Sequence, residues 1–122
     1  MTERISEAEH SVMEVLWRES PLGAAEVAER VDPARGWNIR TVKTLLSRLL
    51  AKGVLNHQED GRRYLYRPTV AREDFVAAES RRLLDRMFGG SVTPLVAHLA
   101  EQDRLSKRDI AEIEALLKAL KS

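Results

Sequence analysis

Between Asn38 and Arg67 the chain sets out side chains suited to one kind of chemistry, the binding of a polyanion. Arg40, Lys43, Arg48 and Lys52 supply cationic donors, and Asn38, Thr41, Thr44 and Ser47 supply neutral donors and acceptors. No aspartate or glutamate falls between Asn38 and Lys52. Two further arginines, Arg62 and Arg63, follow a turn dipeptide, Asp60-Gly61. Guanidinium and ammonium groups bind phosphate oxygens, and with hydroxyls and amides they also read base edges in the major groove. A merely solvated face mixes both charge signs and often sets Glu four residues before Lys. The unmixed face here favours nucleic acid.

Net charge is +1 over 122 residues, which alone argues nothing. Its distribution is more telling. Residues 1–35 carry four basic and eight acidic side chains, residues 36–68 seven basic and two acidic, and residues 69–122 nine of each. A local basic block in a nearly neutral chain is the electrostatic footprint of a phosphate-binding surface.

Three amphipathic segments position that block. Ser6-Glu7-Ala8-Glu9 has the capping-box pattern and opens a helix with Ala8, Val12, Val15 and Leu16 at helical spacing, which Ser20-Pro21 ends. A shorter helix fits Ala24 to Val31, and Asp32-Pro33-Ala34-Arg35-Gly36 is rich in turn residues. Asn38 is the expected N-cap of a third helix running to about Lys52, with Gly53 as its stop. Val42, Leu45, Leu46 and Leu49 share one side of it, and Arg40, Lys43, Thr44 and Ser47 lie opposite, flanked by Thr41 and Arg48. Short strands are predicted at Val54 to Gln58 and Arg63 to Arg67, with Pro68 ending the pairing. Tyr64 and Tyr66 are expected to pack rather than to stack on bases. Three helices and a hairpin, the third helix cationic, make a winged helix-turn-helix over residues 1–69.

Residues 70–122 read differently. A helix is predicted from Arg72 to Phe88, carrying Phe75, Leu83, Leu84, Met87 and Phe88, and Gly89-Gly90 breaks it. Ser91 stands where it can cap a helix with Leu95, Val96 and Leu99, and Ser106 caps a last one with Ile110, Ile113, Leu117 and Leu120. So short a stretch builds little core alone. Its apolar stripes therefore predict a three-helix dimerisation region, and the fold class is mainly α with a small β-wing. Two recognition helices on a dyad would read a palindromic site.

Ile5-Ser6-Glu7-Ala8-Glu9, Leu16-Trp17, the run from Trp37 to Leu49, Lys52-Gly53, Tyr64, Tyr66, Phe88-Gly89-Gly90 and Leu105-Ser106 resemble the BlaI/MecI/CopY family of bacterial repressors, the penicillinase-repressor type. The resemblance covers nearly the whole chain and is most specific from Thr41 to Leu49. It implies a homodimeric winged-helix repressor on a double-stranded operator of a beta-lactam-resistance or stress-response operon. Arg40, Thr41, Lys43, Thr44 and Arg48 would be the main DNA contacts, with Arg62 and Arg63 secondary. The copper-responsive branch of the family relies on C-terminal cysteines, of which this chain has none, so thiolate copper sensing is not expected. In the beta-lactam branch a sensor protease cuts the dimerisation region between Asn and Phe, and the corresponding dipeptide here is His98-Leu99.

Enzyme chemistry has little support. His10, His57 and His98 fall on different predicted elements, and carboxylates two apart on a helix, such as Glu7/Glu9 or Glu112/Glu114, face different ways. No phosphate-cradling glycine motif is present, and no cofactor or metal is expected. No apolar run approaches the roughly 20 residues of a membrane span, and no secretory signal is read at the N-terminus, so the expectation is a cytoplasmic protein without membrane contact. A winged-helix protein-interaction module and a small-ligand-gated regulator stay open as alternatives.

Overall fold

A computed structural model describes residues 4–122, so the reading of the first three residues lies outside it. The element order is α1 (Glu7–Arg18), α2 (Ala24–Arg30), α3 (Ile39–Ala51), β1 (Leu55–Asp60), β2 (Arg63–Pro68), α4 (Arg72–Phe88), α5 (Val92–Glu101) and α6 (Lys107–Lys121). A 3-10 turn at Pro33–Arg35, within the stretch rich in turn residues, joins α2 to α3 and closes on Gly36. The chain divides into two compact units, 1–75 and 76–122, the division falling inside α4.

The N-terminal unit is built from well-capped helices. Ser6 and Glu9 close the expected capping box, with Ser6 N donating to Glu9 Oε1 at 2.7 Å and Glu9 N to Ser6 Oγ at 3.1 Å. The Asn38 side chain accepts from Thr41 N at 2.9 Å, a cap that contributes about 1 kcal/mol. Gly53 follows α3 at φ +79°, the left-handed conformation that a side chain would resist. The inward faces of α1, α2 and α3 meet in one core, where Val12, Met13, Leu16, Val27, Val42, Leu46 and Leu49 lose essentially all contact with water. Each such side chain contributes about 1.5–3 kcal/mol of transfer free energy.

The wing is an antiparallel pair with Leu55 opposite Pro68, His57 opposite Tyr66 and Asp60 opposite Arg63. Its first strand starts one residue later than expected. Val54 N turns back to Leu49 O at 3.3 Å, and Val54 O accepts from Thr69 N at 3.0 Å. Pro68 sits within the last register pair rather than beyond it. Leu22 adds a third, single-residue rung, exchanging backbone hydrogen bonds with Tyr66 at 2.8 and 3.1 Å.

In the C-terminal unit, Gly90 N donates to Leu84 O at 2.9 Å as α4 ends. Ser91 occupies the N-cap of α5, but its side chain makes no capping bond. Ser106 and Asp109 do form a capping box at α6, and the Ser106 N–H holds the Asp109 carboxyl below its usual range. No residue of α4, α5 or α6 is buried. Leu84, Phe88, Leu95, Leu99 and Ile113 are half-buried, whereas Leu83, Met87, Val96, Ile110, Leu117 and Leu120 are exposed. Among the described residues no helix is long and apolar enough to cross a membrane.

Candidate nucleic-acid interface

The buried stripe of α3 determines what its other side presents. With Val42, Leu45, Leu46 and Leu49 turned into the core, helical geometry leaves Asn38, Arg40, Lys43, Thr44, Ser47 and Arg48 exposed, and Thr41 half-exposed. The helix has 13 residues, roughly 20 Å, a length that suits a major groove. Ile39, Arg40, Lys43, Thr44 and Ser47 line an open, shallow depression along it. The Thr44 hydroxyl donates back to Arg40 O at 3.1 Å. Among the described residues Arg40, Lys43 and Arg48 make no ion pair, so three cationic heads on one helix remain available to a ligand.

Lys52 is different. Expected on the phosphate-contacting surface, it instead donates through Nζ to Glu9 Oε1 at 2.7 Å and to Arg4 O at 3.0 Å. Glu9 is 2% exposed. Burial opposes its ionisation, but the hydrogen bonds from Lys52 and Ser6 outweigh that effect and hold its carboxyl below the usual range. Its second oxygen, Oε2, has no hydrogen-bond partner. This residue pair ties the C-terminus of α3 to the first turn of α1. The sequence reading missed the pair because the partner of Lys52 lies 43 positions away, although Lys52, three residues after Leu49 and seven after Leu45, is in phase with the buried stripe of α3 rather than with Arg40 and Lys43.

The wing arginines also separate. Arg62 is exposed and makes no ion pair among the described residues. Arg63 Nη1 donates to Glu26 Oε1 at 2.8 Å, and its Nε lies 3.6 Å from Asp60 Oδ2. Tyr66 is buried, which pushes its phenol up, and stacks on His57 with ring centroids 5.7 Å apart. Tyr64 also contacts His57, at 4.4 Å, yet stays 43% exposed and so packs less than expected.

Phe75, expected on a dimer face, is engaged within its own unit. Its ring lies 5.3 Å from Trp17 and 5.8 Å from His10, both on α1. Trp17 Nε1 donates to Val70 O at 2.9 Å, and Arg72 Nε to Glu14 Oε1 at the same distance. The dipeptide His98-Leu99 falls inside α5 rather than in a loop. Among the described residues no cluster of histidine, aspartate or glutamate is arranged to hold a metal.

Residues 5–119 match the family model of the penicillinase repressors. The chain is 34% identical to the penicillinase repressor of Bacillus licheniformis over 119 residues, covering 98% of this chain and 93% of that one. It is 28% identical to the methicillin resistance regulatory protein MecI of Mammaliicoccus sciuri, covering 95% and 94%. Among solved structures, the DNA-binding domain of the repressor BlaI superposes with a TM-score of 0.53 at 37% identity, covering 61% of this chain and 93% of that one. Bacillus licheniformis BlaI in monomeric form, in complex with the blaP half-operator, gives a TM-score of 0.51 at 36% identity, covering 61% and 90%.

Proposed function

The chain belongs to the penicillinase repressor family, and from that premise we propose that it is a homodimeric repressor whose two α3 helices enter successive major grooves of a palindromic operator. The observation that carries this reading is the acid-free outer face of α3, on which Arg40, Lys43 and Arg48 stand exposed and unengaged. The similar BlaI chain seen with a half-operator supports it. Arg40, Lys43 and Thr44 reach base edges, and Arg48 and Arg62 contact phosphates and set register. Asn38 holds the start of the helix through its cap and lies beside the backbone it faces. A bound dimer represses by occluding the promoter.

Dimerisation is supported by the exposed apolar side chains of α4 to α6, Met87, Leu116, Leu117 and Leu120 foremost. A C2 pairing would bury the same patch on both copies. The regulated operon is one of beta-lactam resistance or of a related stress response. A sensor protease releases the repressor by cutting in the dimerisation region. Cleavage at His98-Leu99 requires α5 to unwind first, since proteases act on extended, accessible backbone.

The test is base discrimination. Arg40→Ala should cost on the order of 1–3 kcal/mol of operator binding and relax specificity at one base position per half-site. If that variant discriminates among operator variants as the parent does, Arg40 does not read a base.

A further inference from the structure

The two arginines at the wing tip are adjacent in sequence but differ in electrostatic standing. Arg62 is unpaired among the described residues, whereas Arg63 is clasped by Glu26 at 2.8 Å and approached by Asp60 at 3.6 Å. Glu26 is itself held in place. The oxygen that accepts from Arg63 also accepts from Gly23 N at 3.0 Å in the first turn of α2. The Arg63 side chain runs so close over Gly23 that an added Cβ would lie 3.3 Å from its Nη1 and 3.6 Å from its Cδ. The Gly23 N–H first, and then the charges of Arg63 and Arg30, hold the Glu26 carboxyl below its usual range, so it is ionised at neutral pH.

A phosphate approaching Arg63 therefore meets a guanidinium with a carboxylate beside it, and the two fields nearly cancel at a distance. A cation neutralised in this way adds little to the counterion release that drives binding to a nucleic-acid backbone. We propose that Glu26 is an internal brake on the wing: its carboxylate competes with phosphate for Arg63 and sets the sequence-independent part of the affinity for duplex DNA. This rests on the reading of α3 and the wing as a DNA-binding surface. The brake acts on the part of the interface that carries no sequence information, so it lowers attraction to DNA at large without touching the side chains that read bases.

Glu26→Gln is the informative variant. The amide keeps an oxygen for the Gly23 N–H, so the start of α2 survives, and only the charge is lost. Binding of the full chain to a random-sequence duplex is followed by fluorescence anisotropy across a salt series. E26Q should bind several-fold more tightly at low salt, with a log–log salt slope steeper by about 0.9, the value for one added phosphate contact. The double variant E26Q/R63A should return to the slope of R63A alone. An E26Q protein with the parent's slope, or with weaker binding, would overturn the brake and leave Glu26 as a mere support for the wing. A parent chain with no salt-dependent binding would instead remove the DNA-binding reading itself, and the inference with it.

Discussion

Residues 1–75 and 76–122 are written in the same amphipathic helical idiom, yet only the first stretch satisfies it internally. In the N-terminal unit the apolar helix faces find cover, from Met13 and Leu16 on α1 to Leu46 and Leu49 on α3, with Ile39 at the edge of α3 left 43% exposed. In the C-terminal unit the helices, of which α6 has a full capping box, bury no residue, and Leu120 stays 82% exposed. Helix formation and core formation are thus separate achievements. Caps and periodicity mark where a helix starts and which face it offers, whereas its stability and a core both require a surface to pack against. The proposed second copy of the chain would supply that surface, and the exposed cationic side chains of α3 are held by the unit with its own core.

The contrast can be broken by point substitutions in the full chain. Leu46→Ala, at a fully buried site, should lower the stability of the N-terminal unit by about 3–5 kcal/mol in urea unfolding. Lys52→Met should cost less, about 2 kcal/mol, because it strands the buried Glu9 carboxylate but removes a partner that is itself partly exposed. Since the folded state lowers the Glu9 pKa, the pair contributes fully above the ordinary carboxylate range and loses its contribution as pH falls through the folded value. The parent's urea midpoint should therefore drop more steeply than that of K52M below about pH 5. Leu117→Asp should change the N-terminal unit by no more than about 0.5 kcal/mol while shifting the chain toward monomer in sedimentation. Were L117D to destabilise the N-terminal unit as L46A does, the separation drawn between the two stretches would collapse.

What the sequence made legible was local in origin. Ser6, Asn38 and Ser106 cap their helices through contacts three residues away, and the stop at Gly53 needs only its own backbone angle. The acid-free face of α3 follows from periodicity alone. Interactions that join distant segments were not legible. Neither the Leu22–Tyr66 rung, nor the Lys52–Glu9 pair, nor Phe75 against Trp17 leaves a periodic trace. The same limit explains why Lys52 and Arg63 were grouped with Arg40 and Lys43. Composition assigns a residue its charge, but only the fold reveals whether that charge is already spent.

The position of Trp17 has an optical consequence. The chain has two tryptophans, and the fold assigns them different neighbourhoods. The Trp17 indole N–H is bonded to Val70 O and its ring abuts Phe75, so its emission follows the seam where α1 meets the start of α4. Trp37 lies one residue before the cap of α3, with the Arg35 guanidinium 5.1 Å from its ring, so its emission follows the entry into that helix. The molecule thus carries a pair of native fluorophores, one beside the start of α4 and the other beside the start of α3.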